Sequence, residues 1–294
     1  MEIAERWYRR IFIVSTGLLI LAALIGRQLS PSIALAVLVT GVVLLGLPHG
    51  ALDPMVARKA FAGPSAYTTA GFYAGYLSLV VGYWLIWNYY PTFGLSLFLL
   101  ISAFHFGSDW ESRSNLMTRC AYGCTFVTLP AVRFPAEVTS IYNMLGTGHA
   151  AMLVTLSKVL APVAVGIAVV GLAVHFRRRR SDALELLTMV AGALLLEPLV
   201  FFTCYFALLH SPLHLLETAK ELGMTSLKRV YRSTFPVVLA TLVLAGLAYD
   251  LLPHMGMDAR LLRIIFIGLA ALTVPHMLLD TLAHTESRKR DSLR

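Results

Sequence analysis

The chain has 294 residues, 57% of them hydrophobic and only 14% charged, whereas about 25% of residues are charged in a typical soluble domain. That composition excludes an ordinary water-soluble fold. The net charge of +8 comes from 19 Arg and 5 Lys against 16 acids, and the basic residues stand beside apolar runs, a pattern of membrane topology and not of nucleic-acid binding.

No Asp, Glu, Lys or Arg occurs from Ala60 to Ser108, and 159–176, 233–249 and 264–279 are equally bare. About 20 apolar residues cross a bilayer core, so the chain reads as all-α, a polytopic transmembrane helix bundle forming one integral membrane domain over 1–294. The first predicted span is 11–25, after Arg6, Arg9 and Arg10; no small-residue cleavage site follows it, so it reads as retained. The second, 32–47, runs into Pro48-His49-Gly50-Ala51-Leu52-Asp53, with Arg58 and Lys59 beyond. The third, 69–87, ends at an aromatic interfacial turn at Asn88–Thr92. The fourth, 92–106, leads into His105 and Asp109, then Arg113 and Arg119.

A short fifth span, 120–132, holds Cys120 and Cys124. With Cys204 these are the only cysteines, and they form no zinc pattern. Residues 133–149 read as a polar-leaning connection. The sixth span, 151–176, meets Arg177–Arg180, read as a solvated flank. Between Ala183 and Glu217 the apolar stretch is too long for one span and Glu197-Pro198 interrupts it, giving 183–196, short enough to be re-entrant or tilted, and 198–217. Spans at 235–252 and 262–284 complete the chain. The loop charges alternate best with both termini cytoplasmic and eight to ten spans.

That topology sorts the nine histidines. His49, His105, His210, His214 and His276 all fall in the cytoplasmic half of the membrane; His149, His175, His254 and His284 fall in loops or at interfaces and carry no expected role. His210 and His214 are four apart, hence about one turn apart on one helix face. Pro212 between them either kinks the helix or opens it with Ser211 as N-cap. His49/Asp53, His105/Asp109 and His276/Asp280 repeat a His followed by Asp at i+4, and Glu217 follows His214 by three. Ionisable groups inside a membrane pair with one another or serve a function, and carboxylates orient ligand histidines. The expectation is a metal site among these five histidines, with the carboxylates Asp53, Asp109, Glu217 and Asp280 in supporting roles. Imidazole donors suit Fe, Zn, Cu or Ni. Activation of O2 on a lipid-like substrate favours Fe(2+) with an open position.

Pro48-His-Gly-Ala-Leu-Asp53, Phe104-His-Phe-Gly-Ser-Asp109, His210-Ser-Pro-Leu-His214 and Pro275-His-Met-Leu-Leu-Asp280 together resemble the Brp/Blh family of β-carotene 15,15′-dioxygenases over residues 46 to 280. The resemblance implies a multi-pass enzyme of the bacterial inner membrane that splits β-carotene with O2 into two retinal molecules, in some cases feeding a rhodopsin. It implies His49, His105, His210 and His214 as the Fe(2+) ligands and catalytic residues. Leu213 departs from the basic residue expected there in many relatives. Phe104, Phe106, Phe202, Tyr205 and Phe206 are the candidate pocket walls.

Three other classes compete. A di-iron membrane desaturase or hydroxylase needs around eight histidines with adjacent His-His pairs, and this chain has none. A metal transporter would line a path across the whole membrane, whereas these histidines share one half. A retinal-binding rhodopsin would need a lysine deep in a span, and the five lysines sit at span ends or in loops.

Overall fold

The computed structural model describes residues 2–61, 66–110, 115–178, 180–252 and 255–292. Arg113, Arg179 and His254 lie outside the described residues, as do the side chains of His175, Arg177, Arg178, Arg180, His284, Arg288, Lys289 and Arg290. The described residues are helical with no strand among them. In chain order they form α1 (Glu2–Leu24), α2 (Pro31–Gly41), a π-helical turn (Val42–Gly46), α3 (Leu47–Gly50), α4 (Asp53–Ala60), α5 (Ala66–Tyr89), α6 (Pro91–Ser108), α7 (Leu116–Arg133) and α8 (Pro135–Met144). There follow α9 (Ala150–Arg178), α10 (Arg180–Leu195), α11 (Pro198–Tyr205), a second π-helical turn (Phe206–His210), α12 (Ser211–Glu221), α13 (Leu227–Asp250) and α14 (Met257–Ser292).

Proline sets many of these starts. Pro31, Pro91, Pro135 and Pro198 each stand in the first turn of a helix, where the missing N–H would have no intrahelical partner anyway. Ser30 and Asn115 cap α2 and α7 by accepting from Ile33 and Thr118 backbone N–H groups. Hydroxyls buried inside helices turn back onto the carbonyl four residues earlier, as Thr125 does to Ala121 and Thr203 to Leu199. In a medium without water that is how an isolated hydroxyl donor is satisfied.

Among the described residues eight helical stretches are long and apolar enough to cross a membrane. The polarity pattern of a soluble protein is absent: α1, α5 and α13 turn rows of Leu, Val and Trp outward, including Leu18, Leu77, Trp84 and Leu244. Such faces are stable only against lipid. The helix α7 lies inside the bundle, packed against α6, α9 and α10. Gly107 and Gly123 allow its approach to α6, because a Cβ at Gly107 would lie 2.5 Å from the Arg119 carbonyl oxygen and one at Gly123 would overlap the Ala103 carbonyl. Small residues at such crossings let two backbones touch.

One expectation from the sequence changes. The connection at 133–149 contains a helix, α8, because Val138 and Tyr142 recur at helical spacing and are buried in the bundle. The short segment before Glu197 is a helix, α10, with Leu184 and Leu187 exposed on one face and Glu185 buried on the other, paired with Arg9 of α1. Pairing is what allows a charge that deep in an apolar bundle.

Candidate metal centre

Two π-helical turns pack against each other at the middle of the bundle, and each is caused by a proline. Pro48 and Pro212 cannot donate to the carbonyl four residues back, and their rings crowd it. The preceding turn widens, so Leu47 N–H bonds Val42 O and Ser211 N–H bonds Phe206 O, each five residues back. Such single-turn bulges recur at functional sites. Ser211 is therefore helical and caps nothing: the helix runs on through Pro212 with a bulge, and the new start at Ser211, one of the two expectations there, does not occur. Gly46 has no room for a side chain, since a Cβ would lie 2.7 Å from Phe206 Cε1.

The bulges, the end of α6 and the middle of α14 bring five imidazoles together. The His49 ring centroid lies 5.7, 5.6 and 5.3 Å from those of His210, His214 and His276. His105 lies 4.7, 6.2 and 5.8 Å from the same three. His210 and His214 stack in parallel, and His214 is 5.2 Å from His276. The tightest group is His49, His105 and His276, which offer one nitrogen each within 4.8 Å of one another. His210 Nε2 lies 3.1 Å from His105 Nε2. The remaining described histidine side chain, His149, is hydrogen-bonded to Thr92 at the opposite end of α6 from His105.

In three of the rings Nδ1 is already committed. His49 Nδ1 donates to Gly46 O at 2.5 Å, His210 Nδ1 to Asp109 at 2.8 Å, and His276 Nδ1 to Asp53 at 2.8 Å. Each acceptor fixes the tautomer with a bare Nε2 lone pair. The His276 Nε2 atom is buried and has no hydrogen-bond partner, a costly condition unless something binds there. Neutral imidazoles with Nδ1 tied to oxygen and Nε2 turned to a shared point are the usual form of a histidine metal site. The 3.1 Å gap between two of these atoms agrees with the roughly 3 Å expected for neighbouring ligands each about 2.0–2.1 Å from an ion. The donor set fits a transition metal.

The carboxylates are present but crossed over. The i, i+4 spacing leads one to expect Asp53 on His49, Asp109 on His105 and Asp280 on His276. Instead Asp53 holds His276 and Asp109 holds His210. The reason is local. Ala51 and Leu52 form a turn between α3 and α4, and Asp109 stands at the C-cap of α6, so neither His–Asp stretch is a continuous helix and the shared face is lost. Glu217, expected beside His214, is an exposed residue.

The aromatic candidates divide. Phe104 is 49% exposed and faces away, since one residue along a helix from His105 is about 100° round it. Phe106 lies 4.8 Å from His210. Phe206 lies 6.0 Å from His49 and stacks on Phe202 at 5.2 Å, and Phe202 meets Phe266 at 5.1 Å. Tyr205 is fully buried, and its hydroxyl donates to Asp109 Oδ2 at 2.7 Å. Sequence reading missed Tyr76, whose hydroxyl donates to Asp53 Oδ2 at 2.8 Å. A tyrosine inside a charge-free span carries no signal of its own.

The family model for β-carotene 15,15′-dioxygenase matches residues 40–284. The chain is 31% identical over 247 residues to a β-carotene 15,15′-dioxygenase of uncultured marine bacterium 66A03, covering 81% of this chain and 90% of that one. It is also 25% identical over 309 aligned positions to a probable β-carotene 15,15′-dioxygenase, Blh, of Halobacterium salinarum, covering 91% and 89% respectively. No solved structure matches it.

Proposed function

The chain belongs to the β-carotene 15,15′-dioxygenase family, and from that premise we propose that it cleaves β-carotene at its central double bond with O2, giving two molecules of all-trans-retinal. In that reaction the C15–C15′ double bond breaks and each carbon gains one oxygen atom, so the two product molecules account for every atom of both substrates.

The observation that carries this reading is the gathering of one ring nitrogen each from His49, His105 and His276 within 4.8 Å inside an apolar bundle, with His276 Nε2 orphaned. His49, His105, His210 and His214 hold the ion in this proposal, and His276 joins them. An Fe(2+) ion in such a neutral, imidazole-only setting would supply the O2 activation that a polyene alone does not undergo. The protein's own part is threefold. Gly46 O, Asp109 and Asp53 keep three rings in the ligating tautomer. The bulk of Phe106, Phe206 and Leu209 keeps water from the rings. The Phe206–Phe202–Phe266 stack offers a continuous aromatic surface beside His49 and His210, against which a long conjugated chain would lie with its middle at the rings.

We further place the enzyme in a bacterial inner membrane with both ends cytoplasmic, where its retinal would be available to a rhodopsin. The di-iron desaturase and transporter readings lose ground because the imidazoles gather about a single point. The test is expression in β-carotene-accumulating cells, followed by chromatography. Loss of orange colour with formation of retinal is expected, together with bound iron in the purified protein. Intact β-carotene in cells holding correctly inserted protein would refute the proposal.

A further inference from the structure

Six residues build one kind of arrangement twice. On one side Tyr76 of α5 donates to Asp53 Oδ2 at 2.8 Å, and Asp53 Oδ1 accepts from His276 Nδ1 of α14 at 2.8 Å. On the other, Tyr205 of α11 donates to Asp109 Oδ2 at 2.7 Å, and His210 Nδ1 in the second π-turn donates to Asp109 Oδ1 at 2.8 Å and reaches Oδ2 at 3.0 Å. In both, a phenol holds one oxygen of the carboxylate that meets the imidazole; at Asp53 the other oxygen is left to the ring, and at Asp109 the ring lies nearer the other oxygen. Both chains end at a ring that faces the shared centre.

The chemistry of the carboxylate gives the phenol a task. A lone carboxylate can present either oxygen and can swing about its Cβ–Cγ bond, a terminal torsion with a broad, two-fold profile. A hydroxyl on Oδ2 restrains that swing. The carboxylate then keeps a fixed plane toward Nδ1, with Oδ1 the nearer oxygen in both cases, so the imidazole keeps both its tautomer and its angle. Asp53 is buried, where no water would replace the phenol, and an unmet lone pair is costly. The repetition on two sides argues against accident, because Asp53, Tyr76 and His276 are far apart in sequence, and Asp109 is 96 residues from Tyr205.

We propose that Tyr76 and Tyr205 are positioning residues of the metal centre, each clamping the carboxylate that aims one imidazole. The proposal rests on the reading that these imidazoles bind a metal ion. Replacing a residue that orients a ligand histidine weakens metal binding by about 10–100-fold. One bond further out, the loss should fall near the lower end, about tenfold for each tyrosine.

The test uses purified full-length protein stripped of metal and titrated with Co(II) against a competing chelator, recording affinity and the visible ligand-field band. Y205F and Y76F keep the ring and delete the hydroxyl. Y83F is the control, because Tyr83 is buried like Tyr205 but donates to the Gly94 backbone carbonyl at 2.8 Å, away from the rings. The expected result is about tenfold weaker Co(II) binding and a shifted band for Y205F and Y76F, with wild-type values for Y83F. Thermal melting of all three separates a packing loss from a binding loss. If Y205F does not fold, Y76F carries the test, since Tyr76 is only partly buried on an outer helix. Wild-type affinity and spectrum in the folded tyrosine variants would overturn the proposal while leaving the metal centre standing. A wild-type protein that binds no Co(II) would overturn the metal centre itself.

Discussion

Replacing Gly123 with alanine tests whether the backbone seam between α6 and α7 fixes the position of His105. The added Cβ would meet the Ala103 carbonyl oxygen well inside the 3.0 Å that real Cβ atoms keep. The obstacle is backbone, so no change of rotamer relieves it, and α6 must retreat by about 1 Å or more. Ala103 stands two residues before His105, and the imidazole travels with it. Metal–nitrogen bonds are about 2.0–2.1 Å and tolerate about 0.2 Å, while a displacement of about 1 Å at a reacting centre costs on the order of 100-fold in rate. The overpacking itself should cost about 1–3 kcal/mol of stability. The assay is retinal formed per mole of purified protein, with bound metal measured by mass spectrometry on the same samples. Gly107→Ala should fall in the same direction, since its Cβ would lie 2.5 Å from the Arg119 carbonyl oxygen. Gly75→Ala on α5 should change neither quantity, because its Cβ meets nothing within 4 Å. Wild-type turnover and metal content in the Gly123→Ala protein would refute the seam as the element that places His105.

Substituting alanine for His49, His105, His210 or His214 should abolish cleavage and lower bound iron, and full activity in any one variant removes that residue from the ligand set. His276→Ala should lower iron content as well; unchanged iron would return His276 to an auxiliary role beside Asp53. Asp53→Asn and Asp109→Asn should weaken metal retention by about 10–100-fold without unfolding the bundle, read by chelator competition and circular dichroism. Phe202→Ala should raise KM for β-carotene or spread the cleavage position along the chain, seen in the product chromatogram, whereas Phe104→Ala should leave the products unchanged because that ring faces outward.

The fold class was legible because lipid enforces it. A charge-free run such as 60–108 has no other stable use, and backbone groups in hydrocarbon must bond within a helix. The site was legible in its residue types, since five histidines amid Leu, Val and Phe are expensive to keep. Its wiring was not. The i, i+4 rule pairs groups on one uninterrupted helix, and the turn at Ala51–Leu52 and the C-cap at Asp109 break that condition just where it mattered. Which helix then receives each carboxylate depends on how α14 and α11 are rotated against α4 and α6, a property of the assembled bundle. Tyr76 was invisible for the same reason. The connection at 133–149 misled through its polar residues, although the stripe of Val138 and Tyr142 is visible in retrospect.

Each π-helical turn amounts to one surplus residue in the count of its helix. At 3.6 residues per turn, a single residue more or less swings everything downstream through about 100°. His49 and His214 both come after such a surplus, so their bearing is set by the residue count upstream of them. Deleting one residue from Val42–Gly46 or Phe206–Leu209 would leave every histidine in the chain and still disarm the enzyme. Tallying imidazoles would pass that chain as competent; only counting the interval between each helix start and its ligand would reveal the fault.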